Sequence, residues 1–438
     1  MVKRDNLSVE QKAYQESLGY LYSLEKFGMI FGLTQVERIL EAIGNPQREV
    51  QAIHIGGTNG KGSTAAMMAS ILQKEGYRVG LYTSPHLIRF TERIKVNGRE
   101  IEKEEVAELT KWMRERIEAA NIPPPFTFFD FTTAMALLYF KQTVVDMAIL
   151  EVGLGGRLDS TNVVDPLLSI ITNISKDHEE HLGRSILKIA GEKAGIIKKD
   201  RPLVTSATQP QVLRLFSKIC REKGSPYFRV GKEFRYVSME DGNFNYEGLH
   251  RKLWDIHLNL MGFHQIVNAT TALGATEVLE DLGYPVSIDA MVEGLREAEW
   301  PGRLERVSFS PQVILDGAHN PAGALVLKES LEKEFEYNHL ILLIGVMKDK
   351  DIKSILHLLA PLADHIIFTR PHNDRAAPPA LLKEALGENG KGAEIIEDLK
   401  EAIERGFSMA GEEDLLCITG SLYTVGEART YFYPKGET

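Results

Sequence analysis

The sequence has few cysteines, no long apolar run and no surplus of basic residues. Cys220 and Cys417 are the only two cysteines among 438 residues. Each lies in an apolar stretch, which predicts two buried thiols in a reducing, cytoplasmic setting rather than a disulfide framework. No apolar run approaches the ~20 residues that a membrane-spanning helix needs. The charged first residues are not followed by an apolar segment, so we predict no secretory signal.

The overall charge is acidic. A formal net charge of -10 argues against a general nucleic-acid-binding protein, because such proteins usually carry a basic surplus. Apolar residues make up 43% and charged residues 26% of the chain, as in an ordinary soluble globular protein. The length predicts two to three domains, and the charge still allows a local basic pocket for an anionic small molecule.

Short β-branched runs alternate with amphipathic helical stretches. We predict strands at 50–55, 79–83, 147–152, 168–172 and 203–205, and helices at 102–119 and 132–141. This alternation is typical of an α/β fold with a mostly parallel sheet and helices on both faces. Residues 234–260 break the rhythm and predict a small antiparallel sheet, with Asp241-Gly242 as a hairpin turn. Helical patterns resume at 265–282 and 288–297.

A Pro-Gly pair interrupts the pattern in the stretch EWPGRLERV, at Pro301-Gly302. We predict a linker there. Strands predicted at 313–315, 340–344, 365–369 and 415–419 then indicate a second α/β domain. The predicted organisation is a larger domain over 1–298, a linker or hinge at 299–303, and a smaller domain over 304–438.

The stretch GGTNGKGS (56–63) follows the first predicted strand and precedes a helical pattern. Glycines let the backbone approach an anion, and the positive end of a helix favours a phosphate. Lys61 would reach the outer phosphates. The loop departs from the common G-x-x-x-x-G-K-[ST] pattern because Gly62 follows the lysine and the hydroxyls come at Ser63 and Thr64. We therefore predict nucleotide triphosphate binding; the alternative is a glycine-rich turn that caps a helix.

Nucleotide phosphates usually bind with Mg²⁺, which prefers oxygen ligands. Glu151 ends a predicted strand, at the edge where ligands bind in parallel sheets. His178 follows the next predicted strand, and its spacing to His181 is not that of a zinc metalloprotease. Ser84 follows the second predicted strand on the same edge. Taken singly, these residues could equally be a loop acid, a surface histidine and a turn residue.

A series of motifs now stands in one order along the chain: GGTNGKGS (56–63), YTSPHLIRFTERI (82–94), EVGLGGRLDSTNVV (151–164), ISKDHEEHLG (174–183), GEKAGIIK (191–198), HQIVNATTAL (264–273) and LDGAHNPAG (315–323). In this order they resemble folylpolyglutamate synthase and its bifunctional form, which is also a dihydrofolate synthase. These enzymes belong to the Mur ligase superfamily of ATP-dependent amide-forming ligases. The resemblance runs from about residue 16 to TGSLYTVGEA (419–428), which is nearly the whole chain.

The resemblance implies a fold of two parts. The first is an N-terminal P-loop ATPase domain of Mur-ligase type, with a mostly parallel sheet and a small antiparallel sheet. The second is a smaller, Rossmann-like C-terminal α/β domain. It also implies a monomer that uses small-molecule substrates, namely ATP, L-glutamate and a reduced folate or dihydropteroate, and neither nucleic acid nor a membrane.

The resemblance further implies a role for each matching residue. The metal ligands would be Ser84, Glu151 and His178, and Lys193 would be the lysine that is carbamylated in relatives. Nucleotide contacts would come from Gly57, Thr58, Asn59, Gly60, Lys61, Gly62, Ser63, Asn268, Arg303 and Asp316. The catalytic residues would be Lys61, Lys193, Arg303 and His319, and the contacts to the pterin or folate would be Arg93, Phe131 and Asp159.

Two departures fall in the substrate region. Thr91 stands where the family usually has Asn, and Phe129-Asp130 stands near a usual aromatic-Glu pair. They bear on which pterin acid is used and leave the ATP chemistry unaffected.

Several alternatives stay open at this stage. A cell-wall Mur ligase would carry a further N-terminal domain, whereas only residues 1–55 precede the glycine loop and they read as helices at 12–27 and 34–43. A protein that hydrolyses ATP as a regulatory switch would lack an amide product. Within the family, dihydrofolate synthase activity alone is the alternative to glutamate addition on folates.

Overall fold

The computed structural model describes residues 8–28, 30–239, 242–387 and 392–434. Residues 1–7 and Asp241, which carry the predictions about a secretory signal and a hairpin turn, lie outside the described residues. The chain forms two compact units. Unit 1 comprises Met1–Asn259 and Ile266–Ala298, and unit 2 comprises Leu260–Gln265 and Glu299–Thr438.

Unit 1 is built on an eight-stranded sheet of order β4-β3-β2-β5-β1-β6-β7-β8. Its strands are β1 (Ala52–Gly56), β2 (Val79–Tyr82), β3 (Ile94–Val96), β4 (Arg99–Glu100), β5 (Met147–Glu151), β6 (Leu168–Ile171), β7 (Leu203–Thr205) and β8 (Tyr227–Arg229). The strands β2, β5, β1, β6, β7 and β8 pair in parallel, while β3 pairs antiparallel with β2 and with β4. The central strands are buried on both faces, which explains their nearly continuous apolar sequence.

Helices cover this sheet. They are α1 (Val9–Ser23), α2 (Thr34–Ala42), α3 (Lys61–Lys74), α4 (Lys103–Ala119), α5 (Phe128–Gln142), α6 (Glu179–Leu182), α7 (Ile186–Lys193), α8 (Pro210–Lys223), α9 (Phe263–Asp281) and α10 (Ile288–Glu297). The predicted helices at 102–119, 265–282 and 288–297 agree within two residues at each end. The helix predicted at 132–141 begins earlier, because Thr127 and Asp130 form a capping box that starts α5 at Phe128.

A separate three-stranded antiparallel sheet follows in unit 1. Its strands are β9 (Arg235–Ser238), β10 (Phe244–Glu247) and β11 (Lys252–Ile256), in the order β11-β10-β9. One face carries the buried side chains of Phe244, Tyr246, Leu253 and Ile256. The prediction of a small antiparallel sheet is therefore confirmed.

Unit 2 is a smaller α/β body with a six-stranded sheet of order β12-β13-β17-β14-β15-β16. The strands are β12 (Glu305–Phe309), β13 (Gln312–Asp316), β14 (Leu340–Ile344), β15 (His365–Phe368), β16 (Glu394–Ile395) and β17 (Leu415–Thr419). All pairs are parallel except β12 with β13. The helices are α11 (Pro321–Lys333), α12 (Ile352–Leu359), α13 (Pro379–Leu386), α14 (Leu399–Met409) and α15 (Leu422–Phe432).

Each unit has its own apolar interior. In unit 1 one cluster centres on the largely buried helix α5, and another lies among α7, α8 and β7. In unit 2 the cluster centres on β14, α11 and α12. Both cysteines are free and buried, as predicted. Among the described residues, no helix is long and apolar enough to cross a bilayer. The predicted α/β fold class is confirmed.

Candidate active site

The glycine loop connects β1 to α3, and two of its glycines are sterically required. Gly57 has φ +138° and Gly60 has φ +84°, which are backbone conformations that residues with a β-carbon rarely adopt. A β-carbon at Gly57 would overlap Thr172 Oγ1, and one at Gly60 would overlap Asn268 Oδ1. The backbone of the loop therefore packs closely against α9 and against the residue that follows β6.

Hydrogen bonds from the segment after β6 fix the loop in place. The N–H of Thr58 donates to the Asn173 carbonyl at 2.8 Å, and the N–H of Asn59 donates to Asn173 Oδ1 at 2.9 Å. Thr172 Oγ1 donates to the Asn59 carbonyl at 2.7 Å. The loop conformation is thus set by its neighbours before any ligand binds.

The N-terminus of α3 is suited to an anion. Its N-cap residue is Gly60, which offers no side-chain acceptor, and the first N–H groups of a helix have no partners within the helix. Lys61 Nζ lies 3.1 Å from the Thr58 carbonyl and 3.9 Å from Glu151 Oε1. The predicted nucleotide residues 57–63 therefore combine the start of a helix, whose first N–H groups have no partners within the helix, the positive end of its dipole and a cation at one place.

Glu151 and Ser84 lie at the same edge of the sheet. Glu151 ends β5, Ser84 follows β2, and β5 lies between β2 and β1 in the sheet. The Ser84 N–H donates to Glu151 Oε2 at 3.1 Å, and the glutamate is 5% exposed. The structure thus brings Glu151, Ser84 and Lys61 together.

His178 follows β6, the strand on the other side of β1. It has φ +50° and begins the short helix α6. Its N–H donates to Asp177 Oδ1 at 2.8 Å, and its Nε2 lies 3.8 Å from the same oxygen. The predicted third metal ligand is therefore on the same sheet edge, beside an acidic side chain.

The donor set fits a magnesium ion that keeps ligands from outside the protein. Among the described residues, no group of three or more His, Cys, Asp and Glu side chains could hold a metal ion. Glu151 offers a buried carboxylate oxygen, Ser84 a hydroxyl and His178 a ring nitrogen. Mg²⁺ is commonly held by one or two carboxylates together with waters and phosphate oxygens, so a sparse oxygen-rich set next to a phosphate loop is suitable.

Lys193 is buried against the glycine loop. It is the last residue of α7 and is 5% exposed. Its Nζ donates to the Gly57 carbonyl at 2.6 Å. Burial, reinforced by the nearby charge of Lys61, lowers the pKa of Lys193 to about 7. A large share of this side chain is therefore an uncharged amine near neutral pH.

Arg93, a predicted substrate contact, is held on the loop after β2. Its Nε donates to His86 Nδ1 at 2.7 Å, and its guanidinium lies 5.0 Å from the centre of the Phe128 ring. Burial and the arginine charge lower the pKa of His86 to about 3, so this histidine is neutral and accepts the hydrogen bond. Arg93 is 8% exposed.

The other two predicted substrate contacts are buried. Phe131 is fully buried in the core of unit 1 and meets Tyr20 edge to face, so the structure does not bring it to the surface of the site. Asp159 is 6% exposed. Its carboxylate accepts hydrogen bonds from Leu154 N at 2.8 Å, Thr161 N at 3.0 Å and Thr161 Oγ1 at 2.5 Å.

Asn268 lies on α9 beside Gly60, whereas the predicted nucleotide residues Arg303 and Asp316 belong to unit 2. There Asp316 ends β13, and its carboxylate accepts hydrogen bonds from Leu304 N and Ala318 N. Burial raises the pKa of Asp316, while Arg303 opposes this shift. His319 Nδ1 lies 2.8 Å from the Gly317 carbonyl, so this ring nitrogen carries a proton.

Three residues that shape the site, Thr172, Asn173 and His86, are not among the predicted site residues. Thr172 and Asn173 follow a predicted strand at the same edge as the glycine loop, and that position could have identified them. His86 lies within the quoted motif YTSPHLIRFTERI, but nothing in the sequence indicates its contact with Arg93. These residues shape the loops that carry the predicted site.

Comparisons with known proteins agree with this arrangement. Residues 55–276 match the Mur ligase middle domain, and residues 302–422 match the Mur ligase glutamate ligase domain. The chain is 38% identical over 428 residues to the dihydrofolate synthase/folylpolyglutamate synthase of Bacillus subtilis, covering 95% of this chain and 98% of that protein.

Solved structures are similar as well. The folylpolyglutamate synthase of Mycobacterium tuberculosis complexed with ADP has a TM-score of 0.91 and 32% identity, covering 98% of this chain and 100% of that one. A bifunctional folylpolyglutamate synthase/dihydrofolate synthase from Yersinia pestis, complexed with AMPPNP and an Mn ion, has a TM-score of 0.85 and 31% identity over 98% and 100% of the two chains. The chain therefore belongs to the Mur ligase family, together with the dihydrofolate synthases/folylpolyglutamate synthases.

Proposed function

We propose that the chain is an ATP-dependent ligase that joins L-glutamate to a folate through an acyl phosphate, and that it also converts dihydropteroate to dihydrofolate. The observation that supports this most strongly is the preformed glycine loop, with Lys61 beside the buried carboxylate of Glu151. The names of the full-length relatives supply the identity of the acid and of the amino acid.

The chemistry requires activation of a carboxylate. In the first step a carboxylate oxygen of the folate attacks the γ-phosphorus of ATP, the bond to ADP breaks, and an acyl phosphate forms. The amine of glutamate then attacks the acyl carbon, the nitrogen loses a proton, and phosphate leaves as the amide forms. Charge stabilisation around the transferring group and correct alignment are the main contributions of the protein to such a reaction.

Several residues of unit 1 have proposed roles in the first step. The N–H groups at the start of α3 and the Lys61 ammonium would hold the phosphates and stabilise the negative charge that moves to the leaving ADP. Ser84, Glu151 and His178 would hold Mg²⁺, which supplies further neutralisation of phosphate charge when bound. Lys193, next to Gly57, has the uncharged amine from which a carbamate forms, and its carbamylation stays a prediction.

The remaining site assignments rest on the resemblance. Asn268, Arg303 and Asp316 are proposed nucleotide contacts, and His319 and Arg303 are proposed catalytic residues. Arg93 and Asp159 are proposed substrate contacts that are already held in place by hydrogen bonds. Phe131, being fully buried, would support the site from the core. The division into 1–298, 299–303 and 304–438 is also proposed, as are the monomeric state and the cytoplasmic location.

The proposal is tested by supplying purified protein with ATP, Mg²⁺ and L-glutamate, and with either dihydropteroate or tetrahydrofolate in separate reactions. Mass spectrometry of the products should show one added glutamyl residue in both reactions. A product from dihydropteroate alone would support the narrower activity of a dihydrofolate synthase. ADP release with no amide product from either acid would refute ligation and favour an ATP-hydrolysing regulatory protein.

A further inference from the structure

A buried hydrogen-bond chain links the strand before the glycine loop to Asp159. His54 lies in β1, two residues before Gly56, and is fully buried. Its Nε2 lies 2.8 Å from Thr161 Oγ1, and Thr161 Oγ1 lies 2.5 Å from Asp159 Oδ1. Thr161 is also fully buried, in the short turn that follows Asp159. We call these three residues the His54 chain.

The direction of the hydrogen bonds in the His54 chain follows from counting protons. An ionised Asp159 can only accept, so the single hydroxyl proton of Thr161 is donated to it. The Thr161 oxygen must then accept from His54, which places the imidazole proton on Nε2. Burial lowers the pKa of His54 to about 3, so the ring is neutral and Nδ1 carries no proton.

The surroundings of His54 agree with this direction. Its Nδ1 is buried and has no hydrogen-bond partner within the described part of the chain. A buried acceptor without a partner is tolerated more readily than a buried N–H without one. The opposite tautomer would leave an N–H unpaired at this position, so the observed packing favours the proton on Nε2.

The His54 chain ends at a loop of the proposed active site. Asp159 Oδ2 accepts the N–H of Leu154, which lies in the turn that follows Glu151. Burial raises the pKa of Asp159, and the hydrogen bonds from Leu154 and Thr161 oppose that shift. Loss of the Thr161 hydroxyl would therefore favour a protonated Asp159, which accepts fewer hydrogen bonds and holds the turn less firmly.

We propose that His54 is a positioning residue for the acid substrate. Through Thr161 it holds Asp159 as an ionised acceptor and fixes the turn after Glu151, although His54 itself touches neither substrate nor nucleotide. The inference rests on the proposed function, in which Asp159 contacts the pterin-containing acid. Loss of a residue with only a structural role would change the KM values for ATP and for the acid alike. Loss of a residue that positions Asp159 would change mainly the KM for the acid.

Kinetics of matched variants test this role. Thr161→Val removes the hydroxyl with little change of shape and should raise the KM for tetrahydrofolate roughly tenfold or more, the usual scale for a hydrogen bond to a charged group. The kcat and the KM for ATP should change less than about twofold on that same scale. Thr161→Ser should restore most of the lost affinity, since it keeps the hydroxyl.

The control is Thr110→Val in α4. Thr110 is 2% exposed, and its Oγ1 has no hydrogen-bond partner in the described residues. This variant therefore also removes a buried hydroxyl but breaks no hydrogen bond. A Thr161→Val enzyme that matches Thr110→Val in its folate KM would overturn the proposal. A parallel rise in the KM values for folate and ATP would overturn it as well, because it would indicate general loosening.

A spectroscopic measurement on the wild-type full-length chain separates this inference from the proposed function. Long-range ¹H–¹⁵N spectra of the histidine rings, with the His54 signal identified by its loss in His54→Gln, should show the neutral Nε2–H tautomer. An Nδ1–H tautomer or a protonated ring near neutral pH would overturn the inference even if Thr161→Val failed to fold. If the wild-type protein made no amide, the proposed function would be refuted. The tautomer of His54 would still test the hydrogen bonds of the His54 chain.

Discussion

The unusual environment of Lys193 leads to a quantitative prediction about CO₂. At a pKa of about 7, about half of the Lys193 side chains are uncharged at pH 7, whereas roughly one in 2500 would be uncharged at the ordinary lysine pKa near 10.4. The uncharged amine adds to CO₂ with loss of a proton and becomes a carbamate. Lys193 is therefore about a thousandfold richer in the reactive form than a surface lysine.

Replacement of Lys193 by Met removes the amine but keeps an apolar stem in the buried position. We expect the ligation rate to fall about 10²- to 10³-fold, the usual cost of losing one preorganised charged group. Short carboxylic acids such as acetate should partly restore the rate, because they return a carboxylate to the space. The matched control is Lys188→Met on the same helix, where the side chain is exposed and the rate should stay unchanged.

Labelling with ¹³C-bicarbonate measures the adduct directly. The wild-type protein should give a carbamate signal that Lys193→Met lacks, and the signal should weaken as the pH falls from 7 to 6, because the uncharged share drops to roughly a tenth. A Lys193→Met enzyme that works at the wild-type rate would refute the reasoning. So would a wild-type enzyme that is fully active in CO₂-free buffer without any labelled carbamate.

Other substitutions test the glycine loop and the metal ligands. Lys61→Ala should lower the ligation rate at least about a hundredfold, whereas Lys74→Ala at the other end of α3 should leave it unchanged; equal rates for the two variants would contradict the phosphate role. Glu151→Gln should raise the Mg²⁺ concentration for half-maximal rate about tenfold or more, and an unchanged titration midpoint would exclude Glu151 as a ligand. Gly60→Ala should lower both nucleotide affinity and Tm, because its β-carbon would overlap a side chain of α9, while Gly19→Ala, with open space around it, should leave nucleotide affinity at the wild-type value.

The central part of the fold follows from local sequence patterns. Strands buried on both faces appear as short β-branched runs, so β1, β5 and β6 are predicted within two residues at each end. The start of α11 also has a local cause in the sequence, because Asn320 caps the helix and Pro321 occupies its first turn. Such features depend on residues that are neighbours in the sequence, so a single sequence is enough to predict them.

Short elements at the sheet edges are not predicted. The hairpin of β3 and β4 is not predicted although Asn97-Gly98 is a strong turn signal, and in the structure Asn97 adopts φ +48°. The strands on either side are only three and two residues long. The pairing of β3 with β2, and of β4 with β3, supplies the stability that their own sequence does not indicate.

The candidate site is predicted in part for the same physical reason. Residues at the end of a strand or just after it, such as Glu151 and Ser84, can be assigned to one sheet edge because parallel strands share their direction. The burial of Phe131 cannot be inferred in this way, since it depends on how α5 packs against α1. The link between His54 and Asp159 depends on contacts between residues that are distant in the sequence, which a single chain does not reveal.

The parallel pairing in unit 1 has a consequence for how the protein folds. Ala52 pairs with Ala148 and Ile53 with Leu168, so each neighbour of β1 comes from about a hundred residues further along the chain. Closing such long loops costs entropy before the contacts form, and proteins with many distant contacts fold slowly. Helical content should therefore develop well before the glycine loop reaches its final shape. During that interval the apolar edges of the incomplete sheet are exposed and can self-associate.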